Sequence, residues 1–236
     1  QLALAAGLYV SPVSGSKTIG NVGGWTPEYN ICCPFIARGY ETKPVILITF
    51  YRSYITSADL KPIAALFHKL RNHGFAVISL FVPSLKAPEA AAWLEKQILY
   101  FSPSLIVNAT SFSGKGKDGN SPLDKANVPV FQIALSTSNR AAWAEAARGL
   151  SPADMAMHVV LPEVDGRIFA GVASFKEPEE MDEALQFAPV GHQPDEERIN
   201  AICAKIVNWY TLQKTPIPKQ KLTLILSTYP GRPWQM

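Results

Sequence analysis

Two carboxylates separated by one residue are the strongest acid–base candidates in the chain. Glu163 and Asp165 lie in the segment PEVDG, where we predict a turn that lets both side chains reach one pocket. Such a pair could accept protons or bind a hard or borderline divalent cation. The alternative is an Asp-Gly turn whose acidic groups are only solvated, and the segment taken alone favours it.

The four histidines differ in what their neighbours predict. His192, in VGHQPDEE, is the candidate ligand for a divalent metal, and the alternative is a solvent-facing loop histidine before a helix. His68 and His73 accompany a predicted helix and are expected at the surface, whereas His158 is expected in a strand. The histidines therefore offer one metal-ligand hypothesis, at His192.

Basic residues could bind an anionic ligand at two places. Arg52 follows an apolar run and could hold a carboxylate in bidentate geometry, although a structural ion pair is the commoner role. The loop SGKGKDGN carries Lys115 and Lys117 among glycines, and this combination of positive charge and a flexible backbone favours the binding of an anion. It does not match the G-x-x-x-x-G-K-[ST] phosphate loop, and no long helix follows it at the right spacing. We therefore predict a surface loop and no nucleotide site.

These residues would be positioned by alternating strands and helices. Short apolar runs such as VILITFY and FAVISLFV predict buried strands, and helical periodicity lies between them. MHVVLPEVDG and RIFAGVASFKE are predicted as two further strands, followed by a long helix near residues 195–213. The apolar stripe of this helix recurs at helical spacing and consists of Ile199, Ile202, Cys203, Ile206, Val207 and Tyr210. The pattern predicts an α/β fold with Rossmann-like or flavodoxin-like layers, a mostly parallel sheet and helices on both faces. Ligands of such sheets bind at the carboxyl ends of the strands.

The predicted organisation has three parts. Residues 1–43 are rich in Gly, Ser and Pro and are predicted to be irregular, residues 44–193 form the α/β domain, and residues 194–236 form a long helix, a linker and the first strand of a following unit. The first residue is not Met and the chain ends soon after an apolar strand begins, so we expect an internal piece of a longer polypeptide.

Composition excludes several classes of protein. With 47% hydrophobic and 17% charged residues, the chain can form a globular core. A net charge of +3 without a long basic run argues against a nucleic-acid partner. No apolar run approaches the ~20 residues that cross a bilayer, and no secretory leader is seen, so we expect a cytoplasmic protein without a membrane partner. The three cysteines, with Cys32 and Cys33 adjacent, form neither a disulfide framework nor a spaced zinc site.

Several segments, in order, resemble the family that contains the large subunit of aerobic cobaltochelatase and the corresponding large subunit of magnesium chelatase. They are PVILITFYRSYITSADLKPIAALFHKLRNHGFAVISLFVPSLK, NATSFS, VPVFQIALSTSNRAAW, VVLPEVDGRIFAGVASFKE, GHQPDEERI and LILSTYPGR, so the resemblance runs from about residue 41 to the end. LPEVDGRIFAGVASFKE and STYPGRPWQM are closer to the cobalt-type members. Magnesium-type members have a different basic-acidic pair where this chain has Lys176-Glu177.

The resemblance implies ATP-dependent metal insertion into a tetrapyrrole, with cobalt as the substrate metal and hydrogenobyrinic acid a,c-diamide as the corrin precursor in cobalamin biosynthesis. Separate AAA+ type ATPase subunits would be the partners and would use the ATP, which is not bound here. Insertion needs a proton acceptor beside the ring. Glu163 and Asp165 are the catalytic candidates, His192 the metal ligand, and Arg52 and Lys176 the groups that bind the ring.

Three alternatives remain. The segment could be a non-catalytic module that frames the large subunit or docks its ATPases through the acidic run between Glu177 and Glu183. It could belong to the large subunit of magnesium chelatase. An unrelated nucleotide-binding or periplasmic-type domain is disfavoured, because the glycine-rich fingerprint and a leader are both missing. Alone, the segment is expected to be inactive.

Overall fold

The computed structural model describes residues 18–32, 42–184 and 186–225. Within these ranges eight strands form one sheet: β1 (Gly23–Thr26), β2 (Asn30–Cys32), β3 (Val45–Tyr51), β4 (Ala76–Val82), β5 (Leu105–Asn108), β6 (Val130–Leu135), β7 (Ile168–Pro178) and β8 (Val190–Pro194). The helices of the same ranges are α1 (Arg52–Thr56), α2 (Lys61–Asn72), α3 (Pro88–Phe101), α4 (Arg140–Glu145), α5 (Pro152–Met155), α6 (Leu161–Val164) and α7 (Glu196–Lys214). A π-helical turn (Ala156–Val160) joins α5 to α6, and 3₁₀ turns cover Pro122–Ala126 and Ile217–Lys219.

The sheet has the order β2-β1-β4-β3-β5-β6-β7-β8. Its five central strands, from β4 to β7 in that order, run parallel, and β1, β2 and β8 pair antiparallel at the two edges. The chain leaves β3 for β4 on one side and returns to place β5 on the other, so the direction of winding changes between β3 and β5. This arrangement confirms the predicted α/β fold with a mostly parallel sheet.

Both faces of the sheet are covered, which explains the continuous apolar runs. In β3, Ile46, Ile48 and Phe50 face a cluster built by α2 and α7, whereas Val45 and Leu47 face α3. A third cluster joins β6 and β7 to the segment that contains α4 and α5. None of the helices in the described ranges has the length and apolarity needed to cross a membrane.

Helix α7 packs directly on β7 through the predicted apolar stripe, which includes Ile199, Ile202, Cys203 and Ile206. The approach is close at Gly171, where a Cβ atom would lie 3.2 Å from Cγ1 of Ile202 and φ is +150°. Glycine at this position therefore meets both a backbone and a packing requirement.

The prediction that MHVVLPEVDG forms a strand was wrong, because this segment follows α5 as part of the π turn and α6 and ends in a turn at Asp165 and Gly166. Ser151 caps the start by accepting a hydrogen bond from the Asp154 N–H at 3.1 Å, and Pro152 occupies the first turn. PEVDG is consequently the end of a helix, with Asp165 as its C-cap, rather than a turn between two strands.

Two further segments contain strands where loops were expected. The β1–β2 hairpin falls within the segment predicted to be irregular, and β1 extends the main sheet by pairing with β4. VGHQP forms β8 and pairs with β7. Because α7 packs on this same sheet, the long helix is attached to the α/β layer; the three-part division of the chain stays a prediction.

Candidate ligand-binding cleft

A cleft of about 630 Å³ opens at the carboxyl edge of the parallel strands, beside the point where the winding changes direction. Its walls come from α1, from the ends of β5 and β6, from the π turn and from β7 and β8. The polar side chains of the lining are Ser53, Tyr54, Thr56, Ser57, Asp59, Lys61, Ser111, Thr137, His158, Lys176, Glu179 and His192. Two of the predicted site residues, Lys176 and His192, therefore lie in one cleft.

His192 is a buried strand residue rather than a loop residue. Its Nδ1 lies 3.2 Å from the Ser174 hydroxyl, and its backbone N–H donates to Asp59 at 2.8 Å. The centroids of the His192 and Tyr54 rings lie 5.9 Å apart in an edge-on arrangement. Burial lowers the pKa of His192, and Asp59 acts in the opposite direction. The imidazole is thus neutral near pH 7, which is the form that can bind a metal ion.

Asp154 and His158 form a buried acid–imidazole pair, of which His158 lines the cleft. The Asp154 carboxylate accepts hydrogen bonds from the Ser136 hydroxyl, the Thr137 hydroxyl and the Thr137 N–H, at 3.0–3.2 Å. His158 Nε2 lies 3.9 Å from an Asp154 oxygen, and the two side chains are 4% and 0% exposed. Burial lowers the pKa of His158, whereas the nearby Asp154 carboxylate raises the pKa of this same imidazole.

Lys176 supplies positive charge to the cleft. It is half-buried on β7, and within the described part of the chain its ammonium makes no ion pair or hydrogen bond. The other lysine of the lining, Lys61, is paired with Glu179 at 2.6 Å. Among the described residues of the lining, Lys176 is therefore the cation that is available to an acidic ligand. Tyr54 adds a phenol whose pKa is raised by burial, so it stays protonated.

Arg52 lies on α1 but outside the cleft lining. Its guanidinium donates to the backbone oxygens of Gly20 at 2.9 Å and Ile19 at 3.0 Å, which fastens the segment before β1 to the sheet. The structure thus gives Arg52 a contact with the protein's own backbone, and its predicted contact with a ring acid group stays a prediction.

Asp165 is occupied by structural contacts. Its oxygens accept from the Ser113 hydroxyl at 2.7 Å, the Gly114 N–H at 2.6 Å and the Arg167 guanidinium at 2.9 Å. The side chains of Asp165 and Arg167 are 1% and 2% exposed. This buried ion pair anchors the SGKGKDGN loop to the end of α6.

Glu163 lies on α6 with its side chain exposed, and it is not part of the cleft lining. Glu163 and Asp165 are thus in different environments, one solvated and one buried, and the shared pocket predicted for them is not formed. Nowhere in residues 18–32, 42–184 and 186–225 do three or more His, Cys, Asp or Glu side chains form a group suited to a metal ion. The roles predicted for Glu163, Asp165 and His192 remain predictions.

A buried polar network links β3, β5 and β6. Asn108 accepts from the Thr49 hydroxyl at 2.6 Å and donates to Gln132 at 2.7 Å. Gln132 also accepts from Arg167 at 3.1 Å, which links the network to the Asp165 pair. Since each of these buried groups has a partner, the network fixes the relative positions of β3, β5 and β6.

The sequence reasoning missed Tyr54, Asp154 and His158. Tyr54 stands in the YRSY segment at the end of β3, a strand end where the sequence favours ligand-binding residues, but no role was predicted for Tyr54 itself. Asp154 and His158 are four residues apart, which places them on one helical face, but only if MHVV is read as a helix. The strand prediction concealed this pairing.

The fold and the cleft place this chain among α/β domains that present a polar cleft at the carboxyl edge of a parallel sheet. A family model described as CobN/Magnesium Chelatase matches residues 13–235. The chain belongs to this family, which confirms the resemblance seen in the sequence.

Individual relatives agree with the family assignment. The chain is 34% identical over 200 residues to the aerobic cobaltochelatase subunit CobN of a Sinorhizobium species, which covers 84% of this chain and 16% of that protein. It is 26% identical over 204 residues to the magnesium-chelatase H subunit of Rhodobacter capsulatus, covering 78% of this chain and 16% of that protein. The catalytic subunit of cobaltochelatase from Mycobacterium tuberculosis has the same fold, with a TM-score of 0.68 and 22% identity over 91% of this chain and 18% of that one. The chain spans about a sixth of the length of the curated relatives that it matches.

Proposed function

We propose that this chain is part of the tetrapyrrole-binding subunit of a cobaltochelatase that inserts Co²⁺ into hydrogenobyrinic acid a,c-diamide during cobalamin biosynthesis. The observation that carries the proposal is the pattern of identity within the family. Two cobaltochelatase subunits are 34% and 32% identical to this chain, whereas the four magnesium-chelatase subunits compared are 23–26% identical. In this proposal cobalt is a substrate, and AAA+ type partner subunits hydrolyse the ATP in the cytoplasm.

The cleft offers chemistry that suits an acidic macrocycle. Lys176, which has no ion-pair partner among the described residues, would attract a ring carboxylate, and Arg52 would be a second anchor only if it released the backbone oxygens that it now contacts. His192 presents a neutral imidazole in the same cleft and is the proposed ligand for the incoming ion. Its set of ligands would be completed by groups beyond the described residues or by the substrate.

Glu163 is the proposed proton acceptor. Its carboxylate is exposed, unlike that of Asp165, whose contacts would have to break before it could act in catalysis. Because the chain covers a sixth of its relatives, Glu163 would act toward a ring that is also enclosed by other parts of the full-length protein.

The test uses the full-length protein with its ATPase partners. We expect Glu163→Ala to abolish most cobalt insertion and to leave ring affinity, measured by absorbance titration, nearly unchanged, because a proton acceptor matters in the chemical step. Normal insertion by this variant would remove Glu163 from the mechanism. Insertion of Mg²⁺ but not Co²⁺ by the wild-type complex would favour the magnesium-type alternative.

A second candidate is a non-catalytic framing or docking module. It is supported by the exposed carboxylates of Glu180 and Glu183 in the acidic run that follows β7. The docking surface would be the acidic stretch after β7, where Glu179 already pairs with Lys61. Reversal of Glu180 and Glu183 to lysine should then weaken binding of the ATPase subunits, measured by co-purification, without affecting ring binding.

A further inference from the structure

Phe112 is a bulky apolar residue in a backbone conformation that bulky residues rarely adopt. Its φ is +65°, in the left-handed region that favours glycine. Its side chain is 48% exposed and belongs to none of the three apolar clusters that the described residues form. The phenyl ring thus contributes little to the core, and strain of this kind is concentrated at binding and active sites.

Hydrogen bonds from the surrounding structure fix this conformation. The Phe112 N–H donates to the carbonyl of Met157 at 2.8 Å, and the Phe112 carbonyl accepts from the Arg167 guanidinium at 3.4 Å. The preceding residue is held as well, because the Ser111 carbonyl accepts from the Tyr51 hydroxyl at 2.7 Å. The direction in which the Phe112 side chain leaves the backbone is therefore determined by the fold.

Phe112 lines a second cavity, of about 300 Å³, which lies beside the main cleft. This second cavity is at the carboxyl ends of β3, β4 and β5, where the direction of winding changes. Ser111 lines both cavities, and Met157, whose carbonyl holds Phe112, lines the main cleft. A ligand in the main cleft would therefore be a neighbour of Phe112.

The second cavity also carries a positive charge. Lys86 lines it and is exposed, and among the described residues its ammonium makes no hydrogen bond or ion pair. An exposed aromatic side chain and a free cation in one cavity suit a conjugated ligand with carboxylates. The phenyl ring offers an apolar face to such a ligand, and the ammonium offers a counter-charge.

We propose that Phe112 packs its phenyl ring against one face of the macrocycle, and that Lys86 pairs with a carboxylate at the edge of the same macrocycle. The inference rests on the proposed function, since it takes the ligand to be the acidic corrin precursor. The contact with Phe112 would contribute to the affinity for the ring, whereas metal insertion into the bound ring would not depend on it.

The test measures both ring affinity and thermal stability in the full-length protein. Phe112→Gly removes the phenyl ring and relieves the strain at positive φ, so without the macrocycle this variant should be at least as stable as the wild type. We expect it to bind metal-free hydrogenobyrinic acid a,c-diamide about five- to thirtyfold more weakly in absorbance titration, as when a stacked aromatic side chain is removed. Phe112→Tyr keeps the aromatic face and should bind within about twofold of the wild type, and the affinity of Phe112→Leu should lie between those of Phe112→Gly and the wild type.

Matched controls exist for both residues. Ser102 has φ of +44° and lies between α3 and the start of β5, at the opposite edge of the sheet, so Ser102→Gly makes the same backbone change and should bind the macrocycle as the wild type does. Lys86→Gln should weaken binding at low salt, and the loss should shrink as the ionic strength rises. Lys96→Gln, at an exposed lysine of α3, is its control.

Three results would overturn the inference while the proposed function stands. One is wild-type affinity in Phe112→Gly. Another is a lower melting temperature of Phe112→Gly without the macrocycle, which would show that the phenyl ring packs against another part of the full-length chain. The third is wild-type affinity in Phe112→Leu, which would show that no aromatic face is needed. Failure of the wild-type protein to bind the macrocycle at all would instead reject the proposed function, and the inference with it.

Discussion

Replacing Asp165 with alanine should destabilise the fold, because the Arg167 guanidinium would remain buried without its counter-ion. The two side chains are 1% and 2% exposed, and Asp165 also accepts hydrogen bonds from Ser113 and Gly114. Burial lowers the pKa of Arg167, whereas the Asp165 carboxylate raises the pKa of the same guanidinium. The carboxylate therefore stabilises the buried positive charge of Arg167.

The size of the effect follows from the burial of both partners. Removing one partner of a buried ion pair costs about 3–5 kcal/mol. At about 2–4 °C per kcal/mol for a chain of this size, the melting temperature should fall by roughly 6–20 °C. Urea unfolding followed by circular dichroism gives the free energy of unfolding directly.

Glu163→Ala is the matched control, since it removes an exposed carboxylate two residues away and should leave stability nearly unchanged. The reasoning is refuted if Asp165→Ala unfolds within about 1 kcal/mol of the wild type. Loss of cobalt insertion at unchanged stability would show that Asp165 acts in the chemistry instead of in the anchoring of the loop.

Three further predictions concern packing, pH and thiol reactivity. Gly171→Ala should destabilise the fold by about 1–3 kcal/mol in urea unfolding, because the added methyl group would contact Ile202 at a position with positive φ. Gly74→Ala is the control, since Gly74 has φ of +91° but open space around it, so it measures the backbone contribution alone. Equal losses of stability in the two variants would contradict the packing argument. The pKa of His158 is lower in the folded state than in the unfolded state, so unfolding takes up a proton and wild-type stability should fall as the pH drops below about 6.5. In His158→Gln this fall in stability should be smaller. If urea unfolding of the variant and the wild type has the same pH dependence, the lowered pKa of His158 is contradicted. Burial raises the pKa of the Cys203 thiol to about 12, so this thiol should react slowly in the folded chain. In a Cys32→Ser/Cys33→Ser variant, a thiol reagent should therefore label the chain only after unfolding. Rapid labelling of the folded variant would contradict the burial of Cys203.

The sheet could be predicted from the sequence because its strands are continuous apolar runs. VILITFY and AVISLFV are buried on both faces, and such runs between amphipathic helices have few other solutions. The stripe of α7 was predicted for the same reason, since its buried residues recur at helical spacing.

The helix through His158 could not be predicted from the same signals. MHVV is rich in β-branched residues, and its helical state depends on the Ser151 cap and on packing against β6 and β7. Asp154 and His158 were missed for the same reason, because these two side chains lie side by side only when the segment is a helix. The contacts of Asp165 with Ser113 and Gly114 connect residues about fifty positions apart, and local patterns carry no information about such contacts.

The order of the strands also has a consequence for synthesis on the ribosome. Strand β3 is made early, but its second neighbour, β5, starts only at Leu105, and the face that carries Ile46 is completed by α7, which ends at Lys214. A nascent chain thus holds an apolar sheet face without its final cover until nearly the whole segment has left the exit tunnel. Since pairings distant in sequence form slowly, chains that stop before α7 should aggregate and should recruit chaperones more strongly than chains that include it.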